Sequence, residues 1–272
     1  MKTLTPGMRR LLTAAAVLVF LAGVQLFVFP GRTARYFAWT INPPLTAAFL
    51  GASYWSSVGF ELAAARERTW AQARIAAPAV FVFTVLTLVV TLVHIDRFHF
   101  GPRFEPATRA VTWIWLAIYS IVPVMMILLL AAQRREPGID PPREASPPAW
   151  LVGLVALQAV VLLGVGAALL VSPLRAAVIW PWALTPLTGR AIGAWLCSLG
   201  VAAAHALREG DLARVRPAAV AYITFAVLQA IALMRFPHTL HWSQPQAIGY
   251  AAFLATTLAA GLGALTRRQV PR

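Results

Sequence analysis

The chain has 272 residues, of which 60% are apolar and 12% charged. Soluble globular domains run at about 45–50% apolar and about 25% charged, so an ordinary soluble domain, a disordered chain and a disulfide-stapled secreted scaffold are excluded. The formal charge of +14 invites a nucleic-acid reading, but the basic residues come as short clusters in loops without the interleaved aromatic and polar readers of a binding face, and no nucleic-acid partner is expected.

Eight nearly charge-free segments follow one another, at about 11–30, 45–64, 75–95, 110–132, 149–172, 187–207, 217–236 and 246–265. Each can cross about 30 Å of hydrocarbon as a helix, which satisfies its own backbone polar groups there. The first follows Lys2, Arg9 and Arg10. Its apolar run exceeds a signal-peptide core and no small-x-small cleavage site follows, so a retained span is expected. The second opens on Pro43 and Pro44, which suit a first helical turn, and ends near Glu61, which is expected to reach the aqueous edge or pair with Arg66 and Arg68. The third and fourth carry Pro78 and Pro123, each expected to bend its helix.

Residues 133–148 hold five prolines and mixed charge, the composition of an extended, solvated linker. The fifth span ends before Pro173, and the sixth carries Arg190, Gly193, Cys197, Gly200 and His205. A single cysteine excludes an internal disulfide and a Cys-x-x-Cys redox pair. The seventh and eighth spans flank the loop from His238 to Trp242.

Fifteen of the 23 basic residues fall on the amino-terminal side of these spans, three in each of five groups that end with Arg267, Arg268 and Arg272. The excess of Arg and Lys marks the cytoplasmic side, which expects both termini inside the cytoplasmic (inner) membrane of a bacterium and requires an even number of spans. Attraction to anionic lipid headgroups accounts for the clusters.

At an offset of 142 the chain repeats itself. Pro44-Leu45-Thr46 lies over Pro186-Leu187-Thr188, Gly51 over Gly193, Arg66-Glu67 over Arg208-Glu209, Arg74 over Arg216, and His99 over His241, with 18 of 57 positions identical across 44–100. The expected fold is therefore all-α and polytopic: two parallel four-helix membrane repeats, 1–132 and 149–272, joined by a cytoplasmic linker at 133–148. Pro173 followed by Leu187, Arg190, Gly193 and Gly200 resembles the small four-span bacterial membrane proteins of the DoxX-like class. The stretch FAWTINPPLTAAFLGASYW resembles a group of uncharacterised eight-span bacterial proteins. The first unit departs from the pattern, with Ala48 where the second has Arg190. The resemblance implies four-helix membrane bundles and brings no catalytic residue.

Candidate functional residues lie on the external side. His94, Asp96, His99, His238 and His241 sit in two corresponding loops and could present imidazoles and a carboxylate to one metal or haem; the competing reading makes them interfacial anchors. Arg190, one turn inside its span, is a candidate for an anionic group, or else it snorkels to the interface. Trp39, Trp182 and Trp242 belong to an aromatic belt and are candidate ligand contacts. No Walker loop, no lysine within a span and no nucleophile–base set is present, so the reading is a non-enzymatic protein with no resident cofactor expected. It would bind a lipid, a hydrophobic small molecule or a membrane partner at an external-facing site. The alternatives are a small-solute transporter, or a membrane redox protein or accessory subunit using the external histidines for haem, metal or quinone.

Overall fold

The structure is a computed structural model that describes residues 1–266. Arg267, Arg268 and Arg272, part of the basic-residue count above, lie outside the described residues. Among the described residues eight long helices follow in order: α1 Pro6–Gly23, α2 Pro44–Arg66, α3 Ala76–Val93, α4 Pro106–Arg135, α5 Ala149–Val171, α6 Pro186–Glu209, α7 Leu212–Arg235 and α8 Pro245–Thr266. Proline opens α1, α2, α4, α6 and α8, where its missing N–H is one of the unpaired donors of a first turn. Thr185 and Thr188 form a capping box at the start of α6, and Gly210, at φ 56°, ends it in the left-handed conformation. Asp211 caps α7, so this helix begins five residues before the expected start at Pro217. The α1 helix closes in a π turn, Val24–Val28.

Seven of the eight helices are long and apolar enough to cross a membrane, so the chain is a multi-pass helical membrane protein by length and composition. The exception is α2, a full-length helix of 23 residues. It carries Thr46, Ser53, Ser56 and Glu61 among its buried residues. A helix encased by other helices need not be apolar all round, because hydrogen-bonding neighbours replace lipid.

Helices α2, α3, α6 and α7 form the interior, while α1, α4, α5 and α8 lie outside. Of the spanning stretches, 67% of α6 is buried against 22% of α4. The pairings are regular: α1 packs on α2 and α5 on α6; α3 packs on α4 and α7 on α8; α2 packs on α7 and α6 on α3. The contact of α2 with α7 is far more extensive than that with its sequence neighbour α3. Aromatic rings fill the centre: Phe83 lies 4.0 Å from Trp195 and Tyr54 5.0 Å from Trp195, and Phe49 meets Phe225 at 6.0 Å, centroid to centroid.

Close helix contacts depend on glycine. A Cβ on Gly51 would stand 2.4 Å from the Phe27 backbone nitrogen, and one on Gly193 would stand 2.8 Å from the Gly166 carbonyl oxygen. Only a residue without a side chain allows such an approach.

The linker is extended but not loosely solvated. Arg74 pairs with Asp140, Arg214 donates to the Pro141 carbonyl, and Asp211 accepts from the backbone of Glu144 and Ala145. The buried Glu209 carboxylate sits at the heart of this end, taking Arg74 Nη2 at 2.8 Å, Arg214 Nη1 at 2.9 Å and His205 Nε2 at 3.1 Å. Its bond to Glu209 raises the Arg74 guanidinium above its ordinary value. The chain start is pinned there too, with Gln133 bonding backbone atoms of Thr3 and Thr5.

Candidate ligand-binding site

At the end of the molecule opposite the linker, α5 and α8 touch only sparsely and leave a cavity of about 270 Å³. Its walls come from Val161 and Val165 of α5, Leu196 of α6 and Tyr250 of α8, with Phe49 of α2 at the back. The turn Ile179–Pro181 forms the rim, and Val161 and Ile179 are exposed there, so the cavity opens sideways between helices. Deeper along the same gap, Gln158 Nε2 donates to Thr256 Oγ1 at 3.2 Å and to Thr257 Oγ1 at 3.3 Å. That contact draws α5 and α8 together and closes the cavity toward the linker end.

Two polar atoms in this apolar wall have no partner. Trp180 is 9% exposed and its Nε1–H is buried without an acceptor. Gln246 donates through Nε2 to the Val178 carbonyl at 3.1 Å, which leaves Oε1 buried and unsatisfied. An unmet buried donor or acceptor costs about 1–3 kcal/mol. One donor and one acceptor at the rim of an aromatic cavity match a ligand with an apolar body and a single hydroxyl- or amide-like group.

The cavity back is rigid. Trp182 Nε1 donates to Thr46 Oγ1 at 2.9 Å, Gln229 Nε2 to the Phe49 carbonyl at 3.0 Å, and Tyr250 Oη to Gln229 Oε1 at 3.2 Å. The Trp180 and Trp182 rings are 5.0 Å apart, and Trp182 meets Tyr250 at 5.5 Å. Trp182 thus supports the cavity from behind.

The other sequence candidates are dispersed. Trp39 is buried against Phe37, Phe98 and Trp115, whereas Trp242 is half exposed. Arg190 donates through Nε to the Leu170 carbonyl at 2.9 Å and through Nη1 to His94 Nε2 at 2.8 Å. Burial, followed by the Arg190 charge, holds the His94 imidazole below its usual range. His99 lies buried between the Phe37 carbonyl, 2.9 Å from Nδ1, and Thr40 Oγ1, 3.1 Å from Nε2. Burial lowers its imidazole as well. Asp96 pairs with its neighbour Arg97 at the surface, and His238 and His241 are exposed. Among the described residues no three His, Cys, Asp or Glu side chains gather where they could hold a metal.

Trp180, Gln246 and Tyr250 are not among the candidates the sequence singles out. Nothing in a single sequence marks a glutamine whose oxygen lacks a donor. Glu61 also departs from expectation: it is 3% exposed and pairs with neither Arg66 nor Arg68. Arg66 lies five residues on, about 140° round the helix, so the two side chains leave on different faces.

The chain matches no protein-family model, no curated relative and no solved structure, and the resemblance to the DoxX-like class gains no support from that side.

Proposed function

We propose that the chain is an eight-span protein of a bacterial inner membrane, a duplicated four-helix unit, that binds an amphipathic small molecule or the end of a lipid beneath Trp180. The observation that carries the binding reading is a lateral aromatic cavity of about 270 Å³ with two unpartnered polar atoms, Trp180 Nε1 and Gln246 Oε1. The ligand has an apolar body and one group that both accepts and donates a hydrogen bond. Twelve basic residues on the linker side among the described residues support an external location for the cavity.

Packing supports the duplication. Each helix contact in the first half has its counterpart four helices later, and the cross-contacts α2–α7 and α6–α3 exchange under the same operation. The charges follow the same operation: Arg74 binds Glu209, and burial raises the Glu67 carboxyl while the charge of Arg216, 142 residues on from Arg74, partly offsets it. In the first half Trp115 meets Phe37 edge-on at 5.2 Å and Trp39 edge-on at 5.0 Å.

Transport has weaker support. The middle of the molecule is packed with Tyr54, Phe83, Trp195 and Phe225, and a solute path needs a continuous polar cavity there. The redox reading has no gathered ligand set among the described residues.

A monoacylglycerol tests the binding reading, with retention on the purified protein read by native mass spectrometry. Trp180→Phe or Gln246→Leu should weaken retention about fivefold, the worth of one neutral hydrogen bond of about 1 kcal/mol. Gly249 lines the cavity, and a Cβ there meets nothing within 4 Å, so Gly249→Phe should fill it and abolish retention in a folded protein. Undiminished retention by Gly249→Phe would overturn the assignment.

A further inference from the structure

Glu61 occupies a second, smaller cavity of about 30 Å³ among the interior helices. The residues that face it are Val19 from α1, Val80 and Phe83 from α3, Ser198 from α6 and Tyr222 from α7. None of these is a cation, and of them only Tyr222 titrates. Tyr119 of α4, a further titratable group, shares its hydroxyl with Tyr54 at 2.8 Å. Glu61 Oε2 and the Tyr222 hydroxyl are both buried without a hydrogen-bond partner. Ser56 and Ser198 donate their own hydroxyl protons to the carbonyls of Ser53 and Ala79, which leaves their oxygens free to accept.

A water needs about 10–15 Å³ and two to four polar partners, and this cavity supplies both. Several of its walls are counterparts 142 residues apart: Ser56 and Ser198, Phe60 and Ala202, and Val80 and Tyr222. The acid breaks that pairing, since Ala203 stands where the second half would carry it. A crevice of about 60 Å³ between α5, α6, α7 and α8 at the linker end shares Ala202, Ala218 and Tyr222 as walls with this cavity. Tyr222 therefore stands between an acid and a route toward the linker face.

We propose that Glu61 is an exchangeable proton-binding site, hydrated by water that reaches it past Tyr222. A carboxyl group within a membrane is a functional candidate by default, and an ionised one here would be an unpaired buried charge. Among the described residues none pairs with Glu61 as a counter-charge, and a proton serves instead. A metal cation would draw on the oxygens of Ser56, Ser57, Ser198 and Tyr222, an outcome that added Na⁺ tells apart from a proton.

Infrared spectroscopy of the full chain in lipid bilayers tests this through the C=O stretch of a protonated carboxyl. The wild type should show a band that Glu61→Gln lacks and that shifts in D2O. It should fade by about tenfold for each pH unit above its midpoint. Glu61→Asp, which keeps an acid, should retain a titrating band, so a misfolded glutamine variant does not decide the matter. Absence of the band, a band unchanged in D2O, or a band that persists at every pH up to denaturation overturns the proposal. Loss of the band on adding Na⁺ at fixed pH overturns it also, by making the site one for a metal cation.

Discussion

Both ring nitrogens of His99 are spent inside the chain. Nδ1 faces the Phe37 carbonyl and must donate, while Nε2 faces Thr40 Oγ1 and can accept, which selects the neutral Nδ1–H form. His94 likewise offers Nε2 as acceptor to the Arg190 guanidinium. Both imidazoles are held below their ordinary value, chiefly by burial. The unfolded chain therefore binds more protons than the folded one as pH falls through about 6.5. Thermal stability in detergent should be full above that range and decline below it, and His99→Gln combined with His94→Gln should flatten the decline. Arg190 becomes intelligible at this scale: its donors tie α6 to the α5 carbonyl end and to the α3 terminus. The sequence marked His94 and Arg190 as unusual but could not marry them, since they stand 96 residues apart.

Helices were the most legible level. Charge-free runs and the prolines that open them located all eight long elements, with the largest discrepancy at the starts of α1 and α7. Span composition could not say which faces approach most closely, because that depends on the partner. Gly51 and Gly249 illustrate the difference. Both are helical glycines, yet a Cβ on Gly51 would collide with the Phe27 backbone, while one on Gly249 meets open space. Gly51→Ala should therefore cost about 1–3 kcal/mol through forced separation of α1 and α2. Gly249→Ala should leave stability unchanged or raise it by about 0.5–1 kcal/mol, the helix preference of alanine over glycine. Unfolding of each purified variant in a mild detergent against a denaturing one checks the contrast, and similar losses at both sites would contradict it.

The whole molecule differs from two bundles set side by side. Because α2 leans on α7 and α6 on α3, neither half encloses its own interior, and each completes the core of the other. Residues 1–135 and 149–272 expressed as separate chains should each aggregate or be degraded alone, yet co-purify when made together. Stable accumulation of either half by itself would contradict the interlocked arrangement. Composition and periodicity alone determined a membrane-embedded, all-helical chain, the places of its long helices and an internal likeness between its halves, because burial in hydrocarbon imposes length and apolarity locally. Only the tertiary structure decided which helices lie inside, that the candidate histidines stay dispersed, that a cavity opens between α5 and α8, and that Glu61 turns inward. Those outcomes depend on contacts between residues tens to hundreds of positions apart, and a single sequence carries no signal for atoms that lack a partner.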